Sequence, residues 1–138
     1  MSGRKFIEKG AGLPQWSNPV SHAVVVNNMC FVSGQLSVNE SGQYVPGSIK
    51  EEAILAFNNV FSALKAAGFD KSDIVYVDMA FSDLSQVQEV NRIYMDLFPE
   101  GRRPARTIYE AARLPFDGKI KIVATAVKEQ PIPIVENP

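Results

Sequence analysis

The chemistry open to this chain is bounded by scarcity: of 138 residues only one is histidine, His22, and only one is cysteine, Cys30. A structural zinc site needs four nitrogen or sulfur ligands and a redox pair needs two thiols, so neither a metal centre nor dithiol chemistry is expected. No G-x-G-x-x-G or P-loop spacing occurs, and Gly10-Ala11-Gly12 reads as a flexible turn, so no nucleotide cofactor is expected either. His22 is the group able to move protons near neutral pH, although a lone histidine is more often a structural residue. Cys30 sits in the apolar run Met29-Cys30-Phe31-Val32 and reads as a small buried hydrophobe rather than a reactive thiol. Lys119 and Lys121 alternate with Ile120 and Ile122, the pattern of a strand with one wet face.

Few elements are available to position these groups. Short β runs come first, at Lys5–Glu8, His22–Val26 and Met29–Leu36. Asn27-Asn28 joins the last two as a tight hairpin, because asparagine tolerates φ > 0. Asn39 to Gly47 is polar and glycine-bearing, hence loop. Ser48 and Glu51 make a capping box for a helix with Ile54, Phe57, Val60, Phe61 and Leu64 on one face, and Gly68 supplies its stop. A strand follows with Val75, Val77, Met79 and Phe81 on one side. A second helix, Ser85 to Phe98, turns Val87, Val90, Tyr94 and Leu97 inward. After the loop Pro99–Pro104, strands are expected at Arg106–Glu110 and Lys119–Val127. The order β-β-β-α-β-α-β-β suits two amphipathic helices packed on one face of one sheet. The other face also carries apolar residues and has no helix left to cover it, so self-association is expected.

Residues 1–128 read as one domain, and 129–138, with Pro131, Pro133 and Pro138, as a tail without regular structure. With 46% apolar and 21% charged residues the chain is globular rather than disordered. Fourteen basic against fifteen acidic side chains leave a formal charge of −1, which gives a nucleic-acid partner little footing. Met1-Ser2-Gly3-Arg4-Lys5 lacks the apolar stretch of a signal peptide, and no segment is long enough to span a bilayer. A cytoplasmic protein with no membrane partner is therefore expected, and the acceptor-like Asn39-Glu40-Ser41 would stay unmodified.

Several segments, in order, then point to a family. Val32-Ser33-Gly34-Gln35-Leu36, Ala66-Ala67-Gly68-Phe69, Val90-Asn91-Arg92-Ile93-Tyr94 and Arg103-Pro104-Ala105-Arg106-Thr107 resemble the RidA/YjgF family. So does Glu110-Ala111-Ala112-Arg113-Leu114-Pro115, followed by the β run Lys119 to Ala124. The resemblance runs from Asn18 to Val127. It implies a single α+β domain of the chorismate-mutase-like type, a mixed six-stranded sheet with two helices on one face. It also implies a homotrimer whose sheets enclose a central barrel, with clefts at the subunit boundaries. The activity implied is cofactor-independent hydrolysis of reactive enamines and imines, such as 2-aminoacrylate, to a keto acid and ammonia. Members are also labelled endoribonuclease L-PSP, a role that the near-neutral charge does little to support.

The same resemblance assigns candidate roles. Arg106 matches the arginine that grips the substrate carboxylate, for which a planar, permanently charged fork is suited; the competing reading is a strand arginine in a surface ion pair. Ser33, Gly34 and Asn91 match cleft-lining positions. Gly34 would admit close backbone approach and Asn91 polar contacts, while Ser33 could instead satisfy a strand end and Asn91 tie helix to loop. Ile108 stands where many members carry a cysteine that contributes mainly backbone groups near the reacting water. Val20, in Asn18-Pro19-Val20-Ser21, replaces an aromatic, usually tyrosine, and removes a hydroxyl. Lys121 replaces the glutamate that positions or activates water; an ammonium can only donate. Lys121 and His22 are the candidates for proton transfer, and Tyr109, Glu110 and Arg113 flank the site as shape and salt-bridge residues.

If Lys121 shares the cleft with Arg106, two cations face the ligand, which points to a ligand with two anionic groups such as an unsaturated amino-dicarboxylate. Two functions are then in play. One is a deaminase in which Arg106 orients the carboxylate and backbone groups near Ile108 place the water, positioning alone being enough. The other is a non-catalytic trimer that binds a small carboxylate metabolite and has lost hydrolysis with its glutamate.

Overall fold

In the computed structural model, which describes residues 3–129, the strands are β1 (Arg4–Ile7), β2 (Ala23–Val26), β3 (Met29–Gln35), β4 (Ile74–Phe81), β5 (Ala105–Glu110) and β6 (Ile120–Val127). The helices are α1 (Ile49–Ala67) and α2 (Val87–Leu97). The tail 130–138 and its prolines lie outside the described residues. The strands form one mixed sheet in the order β1-β2-β3-β6-β4-β5. Only β4 and β5 run parallel, and parallel neighbours need a crossover, which α2 provides. None of the described helices is long and apolar enough to cross a membrane.

Local signals account for most boundaries. Asn27 takes φ 53° in the two-residue hairpin that pairs Val26 with Met29. At the start of α1 the capping box is present: Ser48 accepts from the Glu51 N–H, and Glu51 accepts from the Ser48 N–H at 2.9 Å. At its end Gly68 adopts φ 85°, so its own N–H reaches the Lys65 carbonyl and the Phe69 N–H reaches the Leu64 carbonyl at 2.8 Å. The second helix begins at Val87, two residues later than expected, because Asp83 caps a short 3-10 turn over Leu84–Gln86.

Both helices bury one stripe against one sheet face, packing Phe57, Val60 and Tyr94 against Val77, Met79, Ile122 and Ala124. Two expectations about faces are corrected. Ile54 is exposed, because the buried stripe of α1 is rotated toward Ala53, Ala56, Ala63 and Ala67, whose small side chains let the helix lie close to the sheet. Val75 is also exposed: the β4–β6 register shifts between Ile74 and Tyr76, and Ile74 takes the inward place. The opposite sheet face has no helix. Phe6, Val24, Phe31, Thr125 and Tyr76 form one cross-strand row there, with Phe6 60% and Phe31 45% exposed.

Candidate functional site

The site begins with an irregularity in β3. Its pairing with β6 passes from Val32–Ala124 to Gln35–Ile122, so Ser33 and Gly34 together oppose Val123. Such a bulge re-aims side chains. Ser33 is tied down from both sides: its N–H donates to the His22 carbonyl, and its hydroxyl donates to the Ser21 carbonyl at 2.6 Å. Beside it, the stem of Lys121 crosses Gly34 so closely that a Cβ there would lie 2.9 Å from the lysine Cδ. The close approach that Gly34 permits is thus made by Lys121. The lysine enters a cavity of about 610 Å³ lined also by Trp16, Val20, Ser33, Gly34 and Phe116. Lys121 takes part in none of the ion pairs found among the described residues.

Arg106 is held elsewhere. It pairs with Val77 across the parallel ladder, which puts it on the helix face, and Lys121 pairs with Ala80 on the opposite one. Its Nη1 donates to Asn91 Oδ1 at 2.7 Å, and its guanidinium lies 4.8 Å from the Tyr94 ring centroid. Asn91 in turn donates to Gln88 Oε1. Asn91 therefore positions the arginine from α2. Burial raises the Tyr94 hydroxyl above its usual value even though Arg106 opposes the shift. Ile108, next on the same face, packs against the main core. Of the expected site residues, one chain thus brings Val20, Ser33, Gly34 and Lys121 together in one group, and Arg106, Asn91 and Ile108 in a second where α2 meets edge strand β5. The expected pair of cations does not meet within one chain, because the two residues project from opposite faces of the sheet.

His22 belongs to neither group, and its ring contacts are with the chain itself. The ring is 1% exposed. Its Nε2 donates to the Pro14 carbonyl at 2.8 Å, its Nδ1 accepts from Gln35 at 3.2 Å, and Trp16 lies against it with ring centroids 3.7 Å apart. Burial holds its pKa below the usual value, the Pro14 bond opposing. A neutral imidazole with both nitrogens engaged clamps the Pro14–Trp16 segment onto β3, and so braces one wall of the cavity.

Two features of the site lie outside the residues that sequence reasoning singled out. Phe116 and Asp117 are consecutive non-glycine residues in the left-handed region, with φ 62° and φ 54°. Each such residue costs about 1–2 kcal/mol. The Phe116 ring stacks parallel to Tyr44 with centroids 5.7 Å apart. Tyr44 is fixed by a second unforeseen group, the carboxylate of fully buried Glu52. That carboxylate accepts from the Tyr44 hydroxyl at 2.6 Å, the Gly47 N–H at 3.3 Å, the Lys119 N–H at 3.0 Å and Lys119 Nζ at 3.3 Å. Burial, then Glu52, pushes the Tyr44 hydroxyl up to about 12. Lys119 is accordingly tied, half-buried, to the Glu52 carboxylate rather than standing free on a wet strand face. A signal existed for Glu52, an acidic residue between Ile49 and Ala53 on the apolar stripe. For Phe116 there was only an aromatic inside the turn sequence Pro-Phe-Asp-Gly. Among the flanking residues, Arg113 pairs with Asp117 at 2.8 Å in solvent, Glu110 accepts from the Leu84 N–H, and Tyr109 is exposed.

The Endoribonuclease L-PSP family model matches residues 13–128. The chain belongs to the RidA/YjgF family. This RidA/YjgF chain is 39% identical over 126 residues to the 2-iminobutanoate/2-iminopropanoate deaminase of Bos taurus, covering 91% of this chain and 90% of the relative. The YjgF gene product of E. coli superposes with a TM-score of 0.82 at 35% identity, over 91% of this chain and 99% of that one. E. coli TdcF, solved with bound serine, gives a TM-score of 0.82 at 31% identity, over 91% of this chain and 100% of that one.

Proposed function

We propose that this protein is a cofactor-independent hydrolytic deaminase acting in the cytoplasm on a small enamine or imine acid, and that it works as a homotrimer. The observation that carries the reading is the division of the candidate site into two incomplete halves. An arginine braced by Asn91 stands on an edge strand, and an open cavity with a lysine unpaired among the described residues lies on the other face. Apposition of the Arg106 edge of one copy with the Lys121 cavity of the next would make one cleft of the two. The apolar row of Phe6, Phe31 and Tyr76 on the uncovered face supports self-association. The deaminase name carried by the cattle relative supports the chemistry.

In the proposed reaction Arg106 holds the substrate carboxylate. Water adds to C2 of the protonated imine, whose carbon is already electrophilic, and backbone groups near Ile108 place that water. The tetrahedral carbinolamine then loses ammonia and leaves the 2-keto acid. Lys121 supplies positive charge where the family resemblance implies a glutamate, so a substrate with a second anionic group, an unsaturated amino-dicarboxylate for example, is favoured. A second reading, a carboxylate binder without catalysis, is supported by that same lysine, which cannot accept a proton from water while it is charged.

The test generates imines in situ with an amino-acid oxidase and follows their decay. Native protein is expected to accelerate decay, and Arg106→Ala to reduce the rate about 100-fold, or roughly 2.7 kcal/mol of transition-state stabilisation. Activity gained only on Lys121→Glu would favour the binder, and no acceleration by any form would sink the deaminase. Calorimetry of mono- and dicarboxylates tests the acidic substrate, which fails if monoacids bind as well as diacids.

A further inference from the structure

Phe116 occupies a position that folding alone does not explain. A bulky residue in the left-handed region is a genuine outlier, and here the following Asp117 is left-handed too. The adjacent Gly118, which could absorb such a conformation freely, sits at φ −66° instead. Strain of this kind persists when the surroundings over-determine it, and it clusters at ligand clamps. Core packing does not repay it, since Phe116 is 52% exposed and lies outside the core clusters. The ring is nevertheless held firmly. Tyr44 backs it in a parallel stack, and buried Glu52 anchors Tyr44. Phe116 lines the same cavity as Lys121 and Trp16, and Trp16 is itself braced from behind by His22.

We propose that Phe116 is a specificity-determining residue of the Lys121 cavity, an aromatic wall that selects acids with a flat, unsaturated carbon skeleton over saturated acids of equal charge and length. Two braced aromatic rings and one ammonium suit a planar acid, its π-face against the rings and an anionic group on Lys121. Imines and enamines of 2-amino acids are planar at C2, whereas the parent amino acids are tetrahedral there. The wall would therefore distinguish substrate from amino acid without any further charge. This inference rests on reading the cavity as the ligand site, but not on the reaction catalysed there.

The experiment titrates the whole protein with crotonate and with butanoate, two four-carbon monoanions that differ in planarity. The readout is the indole N–H resonance of Trp16, the only tryptophan in the chain. Native protein is expected to bind crotonate about fivefold more tightly, the worth of one aromatic contact. Phe116→Leu should erase the preference, bringing the ratio of the two affinities to about one. Phe116→Gly should erase it too and raise the melting temperature, because glycine relieves the left-handed backbone. Lys121→Met should weaken both acids alike. Equal binding of the two acids by native protein, a preference retained in Phe116→Leu, or no saturable binding of either acid overturns the proposal. A native protein inert toward imines that still prefers crotonate would remove the deaminase reading and keep this one; imine hydrolysis without the preference would do the reverse.

Discussion

Replacement of Glu52 by alanine tests the reasoning about what holds the cavity wall. The substitution leaves four donors without their carboxylate: the Tyr44 hydroxyl, the Gly47 and Lys119 N–H groups, and the Lys119 ammonium. The ammonium can turn to solvent, its side chain being 39% exposed. The other three donors lose a charged acceptor in a part-buried setting, at about 1–3 kcal/mol each before water enters the vacated space. Taking the low end, because that space admits water, gives a loss of about 3–4 kcal/mol, a substantial part of the 5–15 kcal/mol that a domain of this kind commands. The melting temperature should fall by about 10 °C. Glu52→Gln, which keeps the shape but forces an amide donor against other donors, should cost roughly 1–2 kcal/mol. Lys119→Met should cost less than about 1 kcal/mol, since that partner is partly solvated. Urea denaturation at matched protomer concentration, read by circular dichroism, gives these differences. A loss below about 1 kcal/mol for Glu52→Ala, or one for Lys119→Met equal to it, would refute the view that the carboxylate organises this corner of the fold.

Two further outcomes follow from buried groups. His22 is held neutral by burial, so the unfolded chain takes up a proton near pH 6.5 that the folded chain accepts only at lower pH. Its contribution to stability is complete above that value and is lost as pH falls through the lowered folded value; the urea midpoint should decline on acidification, and a slope unchanged in His22→Gln would contradict this. Cys30 is fully buried and its thiol is pushed up to about 11, so alkylation by iodoacetamide should be far slower in native than in unfolded protein. Equal rates in the two states would show that β3 opens readily.

Much of the architecture was legible because its signals are local. The Asn27 hairpin, the Ser48–Glu51 capping box and the Gly68 stop each depend on a few neighbouring residues, and the structure realises all three. Arg106 and Asn91 could be named from a resemblance, but their 2.7 Å contact joins α2 to β5 and no local pattern contains it. Face assignments failed where geometry accumulates along an element. One shifted register turned Val75 outward, and the four buried alanines of α1 drew its stripe away from Ile54.

The site itself divides in the same way. Composition already limited the available chemistry, since one histidine and one cysteine preclude whole classes of centre, and alternation along β6 placed Lys121 on the side opposite Ile120 and Ile122. Only the tertiary structure decided that His22 is enclosed, that Lys121 crosses Gly34 into a cavity braced by Trp16 and Phe116, and that Arg106 lies on the far side of the sheet. Side-chain alternation is a property of one strand, but which strands become neighbours, and where a bulge re-aims a side chain, is settled by packing between segments distant in sequence.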